Sequence, residues 1–306
     1  MTEISNRREL VFIYTVRDAN PNGDPDDENR PRMDIDGYNI VTDVRLKRTI
    51  RDYLATKNEQ ILIDRKYDKD GNILNIEDLI TEWMNANKIP ISRQNINDKI
   101  PDVFIDVRLF GLTAAVRDAN TSITGPTQFS LGRSLNKPTI STHTITSKMS
   151  AGEAGAGGAM GTFHVLDFSV LVFGGVVCPH LAKISKMSEE DYKKLLEAMW
   201  TGVATLNTRS KVNHVPQLIL VVKSKNKDFL IGNLAYKLRG EGDKNAYTII
   251  FDDVVKKLVE FKAQIDCLEY RAKDDLSCSL NGVKYESFKK MMDAAKTGIP
   301  LNIIPA

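Results

Sequence analysis

Residues 10–54 read LVFIYTVRDANPNGDPDDENRPRMDIDGYNIVTDVRLKRTIRDYL, and this stretch decides the fold class. Leu10 to Val16 is dense in β-branched and aromatic residues, which predicts a strand. The turn formers Asn20-Pro21-Asn22-Gly23-Asp24-Pro25 end it. An acidic loop runs on through Asp36-Gly37. Thr42 or Asp43 can then cap a helix, because a short polar side chain there satisfies an orphan backbone N–H. In that helix Val44, Leu46, Ile50 and Leu54 are apolar, whereas Arg45, Lys47, Arg48 and Arg51 are basic. The chain therefore opens with a strand, a long loop and a helix with a strongly basic surface.

Working outward, ILIDRK (61–66) and the Asp70-Gly71 turn suggest a small hairpin, and Asn75 can cap a helix through IEDLITEWMNANK. The stretch 101–111 (PDVFIDVRLFG) fits helix or strand by periodicity alone. Residues 136–162 are nearly all Ser, Thr, Gly, Ala and Lys, too little apolar surface to order in isolation, and predict a mobile arm. HVLDFSVLVFGGVV (164–177) reads as a buried strand or strand pair. Ser188 opens a helix carrying Tyr192, Leu195, Leu196, Met199 and Val203, and PQLILVVKS (216–224) is a further strand. Strand, helix, insertion, arm, strands, helix, strand is the order of an α+β, split βαβ ferredoxin-like core, the scaffold of the RRM. Beyond Lys225 a turn at 239–243 and helices near 252–261 and 284–296 are expected.

Composition narrows the class. With 306 residues, 42% hydrophobic and 27% charged, the sequence is that of a water-soluble globular protein without a run long enough for a membrane span. The polar start leads straight into a strand, so a cytoplasmic location is expected. Cys178, Cys267 and Cys278 are odd in number and lack C-x-x-C spacing, which indicates neither a disulfide framework nor a zinc site. A net charge of +2 leaves the placement of cations, not their sum, to reveal an anionic partner.

Six segments in register carry a resemblance: NPNGDPDDENRPR (20–32), VTDVRLKRTIRDYL (41–54), DVRLFG (106–111), TGPTQFSLGRSL (124–135), THTITSK (142–148) and TRSK (208–211). Together they resemble the Cas-seven backbone subunits of CRISPR Cascade complexes, of the RAMP class. ITGPTQFSLGRSLNKP and ENRPR are closer to the Csh type of subtype I-B than to the Csd type of subtype I-C. The resemblance implies a modified RRM palm (about 8–57 and 164–224), a finger-like insertion (about 58–110), a thumb-like arm (about 136–162) and a C-terminal extension (225–306). It also implies partners: a guide crRNA, target DNA reached through the guide, further copies packed head-to-tail, and other Cascade subunits. No cofactor is implied.

The residue chemistry suits such a role. Lys47 and Arg51 are four apart, and Arg45 and Arg48 three apart, so each pair shares a helix face at a spacing that suits successive phosphates. A merely solvated helix face is the bland alternative. Asn20 and Asn22 offer amides in the first loop, and Asn22 can bond a ribose hydroxyl or phosphate unless it only shapes the turn. Arg209 and Lys211 in TRSK form a plausible second clamp. Gln128 and Arg133 add polar reach beside Phe129, itself better read as core. By similarity to the family thumb, the arm lies across RNA, bringing His143 and Lys148 to it and a wedge from Met160 or, alternatively, Met149.

Catalytic readings are weaker. Asp24, Asp26, Asp27, Asp34 and Asp36 crowd one loop, and clustered carboxylates can hold Mg²⁺ for phosphodiester cleavage. Type III relatives cut RNA with an aspartate from the corresponding loop, so Asp34 or Asp36 would serve in a metal-dependent ribonuclease. The type I likeness instead implies binding without cutting. The glycine-rich arm matches neither nucleotide-binding spacing, and Cys178-Pro179-His180 lacks a third catalytic partner.

Overall fold

The computed structural model describes residues 2–117, 119–147 and 159–305. The main sheet contains β1 (Arg8–Ala19), β2 (Gly132–Ser134), β3 (Ile140–Ser147), β4 (Ala159–Val177), β5 (His214–Ser224), β6 (Ile265–Ala272) and β7 (Leu301–Ile303). Their lateral order is β7-β6-β5-β1-β4-β2, with Ile40–Val41 beyond β2. The long outer edge of β4 is shared: β3 pairs with residues 159–166, β2 with 171–172 and Thr127–Phe129 with 175–177. Within the 136–162 stretch, residues 140–147 and 159–162 are thus strand-paired, and residues 148–158 lie outside the described residues. Residues 140–147 and 159–166 form a hairpin, because backbone pairing supplies the order that apolar burial does not.

β1 lies between β4 and β5, antiparallel to both. Its register to β5 shifts between Ile13 and Tyr14, where Pro216 stands opposite Tyr14. A proline cannot donate to the ladder, so a bulge accommodates it.

Alternation along β1 sends its two sets of apolar side chains to opposite faces. Leu10, Phe12, Tyr14 and Val16 pack with helices α1 (Asp43–Thr56) and α6 (Glu189–Ala204) in one apolar cluster. Val11 and Ile13 face a second cluster built with Phe251, Val254, Leu258, Phe288 and Met291 of the C-terminal third. That third, including helices α7 (Asp252–Glu260) and α8 (Phe288–Ala295), covers the sheet face opposite α1 and α6. Any ligand of the sheet must therefore bind at its ends or edges.

The helices begin where their caps predict. Thr42 Oγ1 accepts from Arg45 N at the start of α1, a contact of about 1 kcal/mol. Asn75 with Asp78, and Ser188 with Asp191, form reciprocal capping boxes at α2 (Ile76–Ala86) and α6. The ambiguous 101–111 stretch is helical on both sides of an extended Phe104: α3 (Arg93–Val103), then α4 (Ile105–Phe110). These helices, with the hairpin of Gly111–Ala114 and Thr121–Thr124, enclose a third apolar cluster from Leu62 to Ile123. Pro179 starts the short α5 (Pro179–Ser185), where its missing N–H would have had no helical partner. Arg108 ties the α3–α4 unit to α6 by a two-pronged pair with Asp191, both contacts at 2.9 Å.

Candidate nucleic-acid interface

The carboxyl end of β1 is where the chemistry gathers. β1 leaves the sheet at Ala19, β5 enters it at His214, and the first loop and the 205–213 loop meet between them: Asn20 N donates to Ser210 O at 2.6 Å. Asn20 is buried, and its Nδ2 donates to Asn29 O at 2.7 Å, closing the first loop on itself. Asn22 Oδ1 accepts from both the backbone N and the hydroxyl of Thr42, each at 2.9 Å. The two asparagines therefore build the platform, Asn22 by holding the cap of α1.

Lys211 is held against this platform, its Nζ donating to the carbonyls of Asn20 (2.9 Å) and Pro21 (3.3 Å). Burial and the nearby charge of Arg45 lower its pKa to about 8. Burial likewise lowers Arg45, whose Nη2 donates to the hydroxyl of Thr49 at 3.1 Å. His214, stacked on Tyr14 with ring centroids 5.8 Å apart, is pushed down to about 4 by burial and by Lys211. Neither of its ring nitrogens has a hydrogen-bond partner among the described residues. Among those residues, Arg45 and Lys211 also lack a carboxylate partner. Half-buried cations without a carboxylate in salt-bridge contact among the described residues leave charge free to meet an anion.

Beside them, at the foot of the β3–β4 hairpin, His143 lies opposite Phe163 in register. Their rings stack at 5.1 Å and 23°, and the Arg209 guanidinium sits 4.7 Å from the Phe163 centroid. A layer of two rings and a guanidinium presents flat faces suited to a nucleobase.

The α1 cations behave differently. Lys47 Nζ is 3.1 Å from Asp43 and donates to Gln128 Oε1 at 2.9 Å, while Gln128 Nε2 donates to Gly125 O at 3.1 Å. Arg48 pairs with Asp52 (2.7 Å) and Asp64 (3.4 Å). Arg51 is buried, its Nε 2.9 Å from Asp106, a fully buried carboxylate that also accepts from the backbone N of Leu62 and Ile63. Arg133 pairs with Asp34, whose other oxygen accepts from Asp36 N and Tyr38 N. Both Asp34 oxygens are thus committed to shaping the loop, and its neighbour Asp36 is exposed. Lys148 and Met149 lie outside the described residues, as does the side chain of Met160, whose backbone pairs with Thr146. Phe129 is buried in the first apolar cluster, as its core reading expects.

Residues 6–255 match the family described as CRISPR-associated protein Cas7. The chain belongs to the Cas7 family. A Haloferax volcanii protein described as CRISPR-associated protein Cas7 is 31% identical over 280 residues, covering 83% of this chain and 81% of that protein. Two solved structures share the fold at 13% identity, each with a TM-score of 0.50 over 94% of this chain. One, covered to 97%, is described as a CRISPR RNA-guided surveillance complex, and the other, covered to 98%, as such a complex before nicking. Within this Cas7 chain, sequence reasoning missed Phe163 and His214. The hairpin register would have set Phe163 opposite His143, and His214 follows TRSK by three residues. Among the described residues, no helix is long and apolar enough to cross a membrane.

Proposed function

We propose that this Cas7 chain is a crRNA-binding backbone subunit of a type I CRISPR Cascade complex. Copies pack head-to-tail along one guide RNA, beside other Cascade subunits, and present the guide to target DNA. It holds RNA rather than cutting it, in a cytoplasmic complex. Sequence is read by the guide, while the protein grips backbone and shape.

Family membership supports the reading, and one observation carries it. Arg45, Arg209 and Lys211 surround the end of β1 without carboxylate partners among the described residues, next to the His143–Phe163 stack. Lys47, Gln128 and Arg133 remain RNA-contact proposals carried by the family resemblance of the segments they stand in. The strand order β5-β1-β4-β2, with α1 following β1 and α6 between β4 and β5, favours the RRM-like palm. The separate apolar cluster of residues 62–123 favours a finger built on 58–110, and the β3–β4 hairpin favours a thumb on 136–162. ITGPTQFSLGRSLNKP and ENRPR favour the Csh type of subtype I-B.

The test is purification from cells that co-express a CRISPR array and its processing enzyme, followed by sizing of the bound RNA and incubation with target RNA and Mg²⁺. RNA of one guide length with no cleavage is expected. Absence of RNA, or loss of target RNA with time, would overturn the reading.

A further inference from the structure

The C-terminal third does more than cover the sheet. Where it departs from the second face, it leaves a cleft of about 530 Å³ whose lining includes Thr15, Phe168, Lys244, Tyr247, Lys273 and Lys284. The floor is made by β1 and β4. Arg17 stands opposite Phe168 in register, its guanidinium 5.5 Å from that ring, and donates to the carbonyl of Lys244 on the far wall. Phe168 and Tyr247 meet edge to face, with centroids 5.7 Å apart.

The charge of the cleft is one-sided. Among the described residues Asp275 is the one carboxylate of the lining, and Lys273 neutralises it at 2.8 Å. Arg17, Lys244 and Lys284 are exposed and have no carboxylate partner among the described residues. Cations at the mouth, an aromatic pair at the back and amide and hydroxyl groups between them match the chemistry of single-stranded nucleic-acid sites. An acidic peptide would satisfy the lysines but leave the aromatic pair without a use.

The cleft also adjoins the first site. Thr15 and Arg17 alternate along β1 with Tyr14 and Val16, so the cleft and the Arg45–Lys211–His214 cluster lie on opposite faces of the same strand end. Gln217, in the lining, donates to Thr15 Oγ1 at 3.1 Å, and it follows His214 by three residues. A strand that rounds the end of β1 passes from one to the other.

We propose that this cleft binds a second stretch of single-stranded nucleic acid, with Lys244, Lys284 and Arg17 on its phosphates and a base against Phe168 and Tyr247. DNA and RNA offer the same groups here, and the assay separates them. The inference rests on the guide-binding reading for its biological setting but is tested apart from it.

The experiment uses the full chain purified with its guide RNA and follows fluorescence anisotropy of labelled 12-mers of dT and of U that cannot pair with that guide. In Lys244→Glu/Lys284→Glu, 12-mer affinity should fall at least about tenfold. The salt slope should flatten by about 1.4, at about 0.7 for each phosphate no longer neutralised. Guide RNA per protein should stay unchanged. Preference for dT over U, or the reverse, names the natural ligand. Wild-type protein that binds neither 12-mer, or a variant that binds them like wild type, overturns the proposal. Tyr247→Leu should weaken binding without flattening the slope, and equal affinity there removes the stacking contact. Wild type that purifies without guide yet shows the 12-mer effect would defeat the guide-binding reading and leave the cleft standing.

Discussion

Replacing Arg51 by Ala should damage the fold before it affects any ligand. Arg51 sits among basic residues of α1, yet its guanidinium lies 2.9 Å from Asp106, whose side chain is 0% exposed. Asp106 keeps its bonds to the backbone N of Leu62 (2.9 Å) and Ile63 (3.1 Å) when Arg51 is removed, but its charge then has no counter-ion. Breaking one side of such a buried pair costs about 3–5 kcal/mol. At about 2–4 °C per kcal/mol for a chain of this size class, the melting temperature should fall by roughly 6–20 °C. Circular dichroism melts of the RNA-free protein measure this directly. Arg51→Met/Asp106→Asn, which removes both charges and keeps an acceptor oxygen for the Leu62 backbone N–H, should recover part of the loss, because the uncompensated buried charge is gone. A melting temperature within about 2 °C of wild type for Arg51→Ala, combined with weakened RNA binding, would refute the structural role given to Arg51.

Four further outcomes follow from the same geometry. Lys47→Ala/Arg48→Ala should flatten the salt dependence of RNA binding less than Arg45→Ala/Lys211→Ala in filter-binding titrations, because Lys47 and Arg48 already face Asp43, Asp52 and Asp64. RNA affinity should fall as pH rises above the Lys211 pKa of about 8, since bound phosphate favours the charged ammonium and binding must then take up a proton; Lys211→Arg should remove this dependence. The sign reverses for stability without RNA: between about 8 and 10.5 the unfolded chain holds more protons at this site, so Lys211 adds stability as pH rises. Gly125→Ala should cost about 1–3 kcal/mol in urea unfolding, because the added Cβ would lie 2.0 Å from the Phe110 carbonyl carbon, which as backbone cannot swing aside.

What the sequence revealed was mostly local. The first strand, the Thr42 cap and the Asn75 and Ser188 boxes depend on neighbours within four residues, so the pattern alone announces them. Asp43 and Asp52 lie four residues from Lys47 and Arg48, but two other partners of the α1 side chains were hidden by chain separation. Asp106 lies 55 residues from Arg51, and Gln128 lies 81 from Lys47, distances across which periodicity says nothing. Composition gave no sign of the pairing at the two flanks of the arm, Ile140 with Leu166 through Ser147 with Ala159, while residues 148–158 lie outside the described residues. The C-terminal third had no legible role because its use is to pack Phe251, Phe288 and Met291 against strands far earlier in the chain. Of the RNA-binding expectation, the placement of Arg45, Arg209 and Lys211 was legible only as basic character. Their lack of carboxylate partners among the described residues is a property of the folded chain.

The most direct test is the salt dependence of guide RNA binding for wild type and for Arg45→Ala/Arg209→Ala/Lys211→Ala. Taking three cations away from the phosphates, at about 0.7 each, should flatten the log–log slope by about 2 while the melting temperature of the RNA-free protein stays near that of wild type. An unchanged slope with RNA still retained would contradict the assignment of these three cations to the RNA backbone.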